Sequence, residues 1–430
     1  MVKIIGAGLA GSEIAWYLAN QGIKVKLYEM RPLKKTPVHQ TGFFAELVCS
    51  NSLRSDDINN AVGLLKAEMR LLDSLILQAA THTQVPAGSS LAVDRTLFSQ
   101  YITDKIKSHP LIEVINEEVT TINDQEITVI AAGPLASETL TQTIINKIGD
   151  HNLYFFDAVA PIIEKDSIDM SIAYIKDRYD KSDNPSYINC PMTKEEYLKF
   201  YHELINAQKV IPKDFENNVF EGCMPVEVMA SRGIDTLLFG PLKPVGLEKD
   251  LMRPYAVVQL RQDDAAASMY NMVGFQTHMT FSEQKRIIQM IPGLQKANIL
   301  RYGVIHKNTY INASQLLNAT YQVKTNPNLF FVGQIAGVEG YVESAASALA
   351  CGIAINGLLK QKKVITLPPV TMIGAMAHYI STPNKSFVPM NANFGLMPNL
   401  ENAFRKKALR KEAYATRSLQ ALKEFIEVLK

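Results

Sequence analysis

The chain has 430 residues, 47% of them apolar and 20% charged, with a formal net charge of +2. That length suits two or three domains with cores of their own, and the composition excludes disordered, collagen-like and disulfide-stapled classes. The 44 basic and 42 acidic residues nearly cancel, so total charge alone gives no sign of a nucleic-acid partner. Four cysteines without a C-x-x-C pair form neither a disulfide framework nor a zinc site, and no metal is expected.

Val2-Lys3-Ile4-Ile5 opens the chain as a strand, without the signals of a secretory leader. No uninterrupted apolar run of about 18 residues is expected, hence no membrane span. A reducing cytoplasm is the expected compartment. Residues 1–30 read strand, helix, strand: Ile14, Ala15 and Leu18 recur at helical spacing, and Ile23 to Tyr28 alternate before an acid. Residues 64–80 read as one amphipathic helix with Leu65, Met69, Leu72, Ile76 and Ala79 on one face. A strand from Glu126 to Ala132 stops at Gly133-Pro134.

Residues 153–299 differ, with runs such as Tyr255–Leu260 and Met272–Phe275 separated by short polar segments, as in a mixed module with antiparallel strands. The strand–Gly–helix pattern returns at Leu329-Phe330-Phe331-Val332-Gly333, followed by small residues from Ser344 to Gly352. The expectation is an α/β fold: a Rossmann-like FAD-binding domain of the glutathione-reductase-like type, made of residues 1–152 and 300–430 and interrupted by an inserted mixed α/β domain at 153–299.

Gly6-Ala7-Gly8-Leu9-Ala10-Gly11 follows a strand and opens a helix. In that setting Gly6 permits a tight turn, Gly8 lets the backbone approach a pyrophosphate, and Gly11 lets helix and sheet pack closely. Free N–H groups at the helix start then face the phosphates. Glu29, 18 residues after Gly11, ends the second strand where a carboxylate can accept ribose hydroxyls. The late segment with Gly333, Gly337, Gly340 and Ser344 favours FAD over NAD, because it brings a second helix start to the flavin side; Gly133 is a further candidate contact.

Cys49 and Cys223 have the polar or turn-forming neighbours of an accessible thiol, and Arg54 is a candidate to hold Cys49 as thiolate. Cys351 lies in an Ala-rich helix and reads as packing; Cys190, before Pro191, reads as a turn residue of open role.

The segments Val2 to Arg31, Phe44-Ala45-Glu46-Leu47-Val48-Cys49-Ser50-Asn51-Ser52-Leu53-Arg54, Glu221-Gly222-Cys223-Met224-Pro225, Leu260-Arg261-Gln262-Asp263-Asp264-Ala265-Ala266, Gly337-Val338-Glu339-Gly340-Tyr341-Val342-Glu343-Ser344 and Pro389-Met390-Asn391-Ala392-Asn393-Phe394-Gly395 closely resemble the TrmFO family over essentially the whole chain. That resemblance implies an FAD- and folate-dependent RNA (uracil-5-)-methyltransferase, in which methylenetetrahydrofolate supplies the carbon and NAD(P)H the reducing equivalents. It implies two working cysteines at Cys49 and Cys223. Cys223 is preferred as the nucleophile that adds to uracil C6, with Cys49 as its partner, and the reverse assignment stays open. It further implies a histidine against the pterin, His278 in preference to His39, and an arginine, Arg261 or Arg286, for the glutamate tail. The family commonly has Thr where Ala132 and Ala336 stand, which leaves flavin tuning and RNA preference in question.

Residues 401–430 read as a helix with eight basic residues against four glutamates, net +4, which leaves −2 for the other 400. Arg405, Lys406, Arg410 and Lys411 are the candidate contacts to RNA phosphates. The expected partner is RNA, tRNA in preference to 23S rRNA. The alternatives are a GidA-like flavoprotein acting on the wobble uridine and a non-catalytic FAD-containing RNA-binding factor.

Overall fold

The computed structural model describes residues 1–430 except 37, 150–152, 155–156, 181–184, 211–223, 250–252, 264–266, 307–309, 385–386, 388, 402–405 and 430. Two sheets carry the chain, each with its own hydrophobic core. The first has six strands in the order Gln322–Val323, Asn326–Phe331, Thr128–Ile130, Val2–Ile5, Val25–Tyr28 and Ile112–Ile115. All pairings in it are parallel except the edge hairpin of Gln322–Val323 with Asn326–Phe331. Residues far apart in sequence therefore share this sheet, as the returning strand at Leu329 predicted. Ile4, Val25, Leu27, Val129 and Phe330 are buried along it, as a sheet covered on both faces requires.

Two helices pack closely on this sheet, Leu9–Asn20 and Tyr341–Gln361. Their contact depends on small residues: a side chain at Gly352 would begin 2.7 Å from the Tyr17 ring. The Tyr341–Gln361 helix is long and apolar enough to cross a membrane, although Glu343 and Lys360 bound its uncharged stretch. Yet 83% of its apolar window is buried within the protein, so its hydrophobicity is that of a core helix.

Other expectations shift in the tertiary structure. The helix read at 64–80 is two, Ala61–Leu71 and Leu75–His82, broken where Asp73 takes φ 55°. The second starts because Ser74 Oγ accepts from Leu77 N–H while the buried Glu13 carboxylate accepts from Ser74 Oγ and the N–H groups of Leu75 and Ile76. The apolar period runs across the break because both helices bury the same side. The strand at 126–132 shortens to Thr128–Ile130.

The second sheet is antiparallel throughout, in the order Tyr174–Ile175, Ile188–Met192, Ala256–Gln262, Met269–Met272, Ile162–Glu164 and Ile299–Arg301. Every residue of its central Ala256–Gln262 strand is buried. Cys190, expected in a turn, is buried in the Ile188–Met192 strand. Pro191 is tolerated there because the neighbouring strand faces only Ile188 and Asn189, which leaves the proline's missing N–H on an open edge. The run Met272–Phe275 leaves the sheet after Met272 and turns at Gly274. Two short antiparallel pairs, Leu153–Tyr154 with Tyr310–Ile311 and Asp157–Val159 with Val304–His306, lie where the chain passes between the two sheets.

The last helix runs Lys407–Leu429. Its buried Leu422 and Ser418 face the body of the protein, where Ser418 donates to the buried Glu68 carboxylate. Glu68 also accepts from the N–H groups of Met372 and Ile373, at 2.7 and 2.9 Å, at the start of the Met372–Ser381 helix. One buried acid thus joins three helices.

Candidate active site

A cavity opens at the carboxyl ends of the parallel strands, where a doubly wound sheet binds its ligands. Gly6, Gly8, Glu29, Gly133, Gly333 and Ser344 all line it. Gly6 has φ 99°, and a Cβ there would meet the Ala131 carbonyl at 2.7 Å. A Cβ on Gly11 would lie 1.8 Å from the Gly6 carbonyl oxygen, so the helix can start here only with glycine. Around Gly8 nothing stands within 4 Å of such a Cβ, and no side chain caps the Leu9–Asn20 helix. Its first N–H groups are thus left for an outside acceptor such as a phosphate.

Glu29 is buried and accepts from Ala7 N–H at 2.9 Å and from the backbone and guanidinium of Arg31. Burial pushes its carboxyl up, but the Arg31 pairing and these N–H bonds overcome it and hold it below the usual range. Arg31 itself is buried, donating also to Glu46 at 3.4 Å. An anionic Glu29 at the rim suits ribose hydroxyls, and the open phosphate cradle suits a pyrophosphate; these residues fit FAD.

The second helix start completes the wall. Gly333 N–H donates to Ser347 Oγ at 2.8 Å, and Gly340 caps the Tyr341–Gln361 helix. Gly340 is not among the lining residues but stands against Glu343, which is fully buried and paired with Arg54. Of the two alanines, Ala132 lines the cavity and Ala336 is buried behind it.

Val48 lines the cavity, and the half-buried Cys49 follows it. Cys49 N–H donates to the Tyr341 hydroxyl at 2.7 Å. Arg54, the cation expected to serve the thiol, is engaged by Glu343 instead. A different cation lies nearby: the Arg95 guanidinium reaches the carbonyls of Leu47 and Cys49 at 2.7 and 3.4 Å, and it is electrostatically coupled to Cys49. Nothing local in the sequence marked Arg95, which lies 46 residues from Cys49. Cys223 lies outside the described residues. Met224 just after it is buried, and Val226 N–H donates to the Gln276 carbonyl.

The two histidines are placed apart. His39 lines the cavity, in contact with Thr36 Oγ1, and burial together with the Arg31 guanidinium pushes it down to about 4, so its ring is neutral at pH 7. His278 belongs to the second sheet's unit and does not line the cavity; its N–H donates to the buried Glu227 at 2.7 Å and its ring stands 3.4 Å from the same carboxylate. Arg261 is buried with its guanidinium on Asn51 and Ser50, at 3.1 and 2.6 Å. Arg286 is a surface residue paired with Glu203 and Glu283. Arg405 lies outside the described residues; Lys406 and Arg410 are exposed and Lys411 half-exposed. Arg417 on the same helix is structural, donating to the carbonyls of Pro398 and Asn399.

A parallel sheet with a glycine phosphate turn and an inserted antiparallel sheet defines a Rossmann-like dinucleotide-binding protein. The solved Aquifex aeolicus GidA has this fold: one crystal form superposes with a TM-score of 0.72 at 16% identity, covering 98% of this chain and 75% of that one. The family described as glucose inhibited division protein A matches residues 1–363. An Acholeplasma laidlawii protein named methylenetetrahydrofolate--tRNA-(uracil-5-)-methyltransferase TrmFO is 64% identical over 99% of both chains. Its Listeria monocytogenes namesake is 59% identical over 100% of this chain and 99% of its own. The chain belongs to the GidA family, in its TrmFO group.

Proposed function

We propose that the protein uses methylenetetrahydrofolate and FAD to methylate C5 of a uridine in tRNA, the substrate in its relatives' name. The observation that carries this reading is one cavity walled both by the Gly6–Gly11 phosphate turn and by the residue next to Cys49. Bound FAD, kept reduced by NAD(P)H, supplies the reducing equivalents that make a methyl group of the transferred one-carbon unit. The remaining work falls to the chain. The turn residues and Glu29 hold the dinucleotide. Gly333, Gly340 and Ser344 bring the second helix start to its flavin end, and Gly133 supports the wall between them.

Uracil C5 is a weak nucleophile until a thiolate adds at C6. In our reading Cys223 forms that C6–S bond, the C5–C6 π electrons move into an enolate, and C5 bonds to the one-carbon unit. Cys49 assists removal of the C5 proton, and the bond between the one-carbon unit and its carrier nitrogen breaks with its electron pair going to that nitrogen. A hydride equivalent turns the exocyclic methylene into a methyl group, and the enolate so formed expels Cys223 from C6 as thiolate. The neutral ring of His39 in the cavity makes it the better-placed stacking partner for the pterin, with His278 the more distant candidate. Arg261, committed to Ser50 and Asn51, would serve the folate tail only by exchanging partners, and Arg286 serves it less well from the surface.

The RNA reaches the cavity with its target base unstacked, at a cost of a few kcal/mol that a loop lowers. Residues 153–299 form the folate and RNA side, and Lys406, Arg410 and Lys411 face the phosphates, with Arg405 beside them in sequence. The work is cytoplasmic. Purified protein should show a flavin spectrum and, with methylenetetrahydrofolate and NADPH, form 5-methyluridine in tRNA lacking it. Product in 23S rRNA alone would move the reading to a ribosomal target, and no product in either RNA would sink it. A Cys223→Ala protein that kept full turnover would overturn Cys223 as the nucleophile.

A further inference from the structure

Arg95 occupies a position that helix physics does not favour. It is the first residue of the Arg95–Ser108 helix, whose N-cap Asp94 accepts from Thr96 and Leu97 N–H. A cation there opposes the helix dipole. It is also largely buried, its side chain 13% exposed. Burial works against its charge, and the Asp263 carboxylate more than offsets that.

Asp263 follows the central Ala256–Gln262 strand of the inserted sheet and is 1% exposed. It meets Arg95 through two contacts, Nη2 to Oδ1 at 2.8 Å and Nε to Oδ2 at 2.7 Å. The other edge of the guanidinium carries the Leu47 and Cys49 carbonyls. Two residues earlier on the inserted strand, Arg261 donates to Ser50 and Asn51, and Asn51 Nδ2 returns a bond to the Gln262 carbonyl at 2.8 Å. Segment 47–51 is therefore tied to the inserted sheet, directly at Ser50 and Asn51 and through Arg95 at Leu47 and Cys49, with Arg95, Asp263 and Arg261 as the charged members of the seam.

We propose that Arg95 is a positioning residue for the Cys49 thiol and that Asp263 holds it in place, so that the inserted domain sets the geometry and the charge around Cys49. This rests on the reading that Cys49 works in the chemistry. A forked guanidinium spanning a carboxylate on one edge and backbone carbonyls on the other is a task for arginine that lysine cannot duplicate. Arg95 and Asp263 share this interior with Arg301 and Tyr341, which act electrostatically on the same group of charges.

The test uses the full-length flavin-loaded enzyme and its Arg95→Ala, Arg95→Lys and Asp263→Asn variants. Alkylation of Cys49 by iodoacetamide is followed against pH by peptide mapping, beside turnover, flavin content and melting temperature. Arg95→Ala should move the alkylation midpoint to higher pH and Asp263→Asn to lower pH, both losing at least tenfold in turnover. Arg95→Lys should keep the midpoint near that of the wild type while turnover falls. Opposite shifts are what a merely structural pair would not produce. Unmoved midpoints with wild-type turnover in Arg95→Ala and Asp263→Asn would overturn the proposal; if Arg95→Ala fails to fold, the other two decide it. A Cys49→Ala enzyme with full turnover would remove the catalytic reading of Cys49, and the alkylation shifts would still report whether Arg95 governs the thiol.

Discussion

The glycine turn and the Cys49 segment border the same cavity but are built in opposite ways. In the turn, the tightest contact joins residues five positions apart, where Gly11 lies against the Gly6 carbonyl, and a distant neighbour is the Ala131 end of the adjoining parallel strand. At Cys49 the contacts come from Tyr341, Arg95 and, through Arg95, Asp263, which are 292, 46 and 214 positions away. The first arrangement is written in six consecutive residues and needs a strand before it, a helix after it and the adjoining strand of the same sheet. The second exists only once both sheets have formed. A phosphate cradle can be local because backbone N–H groups do the binding, whereas the side chains around Cys49 come from distant parts of the chain.

The largest effect should come from the local element. Gly11→Ala would place a methyl carbon 1.8 Å from the Gly6 oxygen, which forces the helix off the sheet. We expect loss of bound flavin, or of soluble protein, read by absorbance against protein concentration. A stoichiometric flavin complex in this variant would break the contrast drawn here.

The next effect is on stability. Glu68→Ala strips the acceptor from Met372 N–H, Ile373 N–H and the Ser418 hydroxyl. Each buried donor left unpaired costs about 1–3 kcal/mol, so the C-terminal helix should loosen and the denaturation midpoint fall. Burial pushes Glu68 from an ordinary 4.5 up to about 7, and its N–H and hydroxyl donors offset only part of that. A carboxyl raised in this way contributes stability below pH 4.5, and that contribution drains away as the pH rises to about 7. Denaturant melts across that window should show the decline in the wild-type protein and a flatter profile in Glu68→Gln, which cannot ionise.

The smallest effect belongs to the exposed surface. Replacing Lys406, Arg410 and Lys411 with Ala should weaken tRNA binding several-fold and lower the salt dependence by about one counterion per lost phosphate contact. Flavin content and melting should stay as in the wild type. An unchanged salt slope would remove this helix from the RNA interface.

The sequence alone determined the elements whose physics is short-range. The turn Gly6–Gly11, Glu29 at a strand end, the return at Gly333 and the change of pattern in the middle of the chain were all legible, because each depends on spacing or on steric room beside a neighbour. The helix break at Asp73 was not, since its cause is the distant Glu13 carboxylate that takes the N–H groups of the next helix start. Nor was the burial of Cys190 in a strand beside a proline. Above all, the tertiary structure decided which arginine serves which acid. Arg54 looked like the companion of Cys49 by proximity in sequence, yet Glu343 claims it, and Arg95, paired with Asp263 of the inserted sheet, is the cation that reaches the Cys49 carbonyl. Charges in a low-dielectric interior are matched by distance in space, and only the folded chain sets those distances.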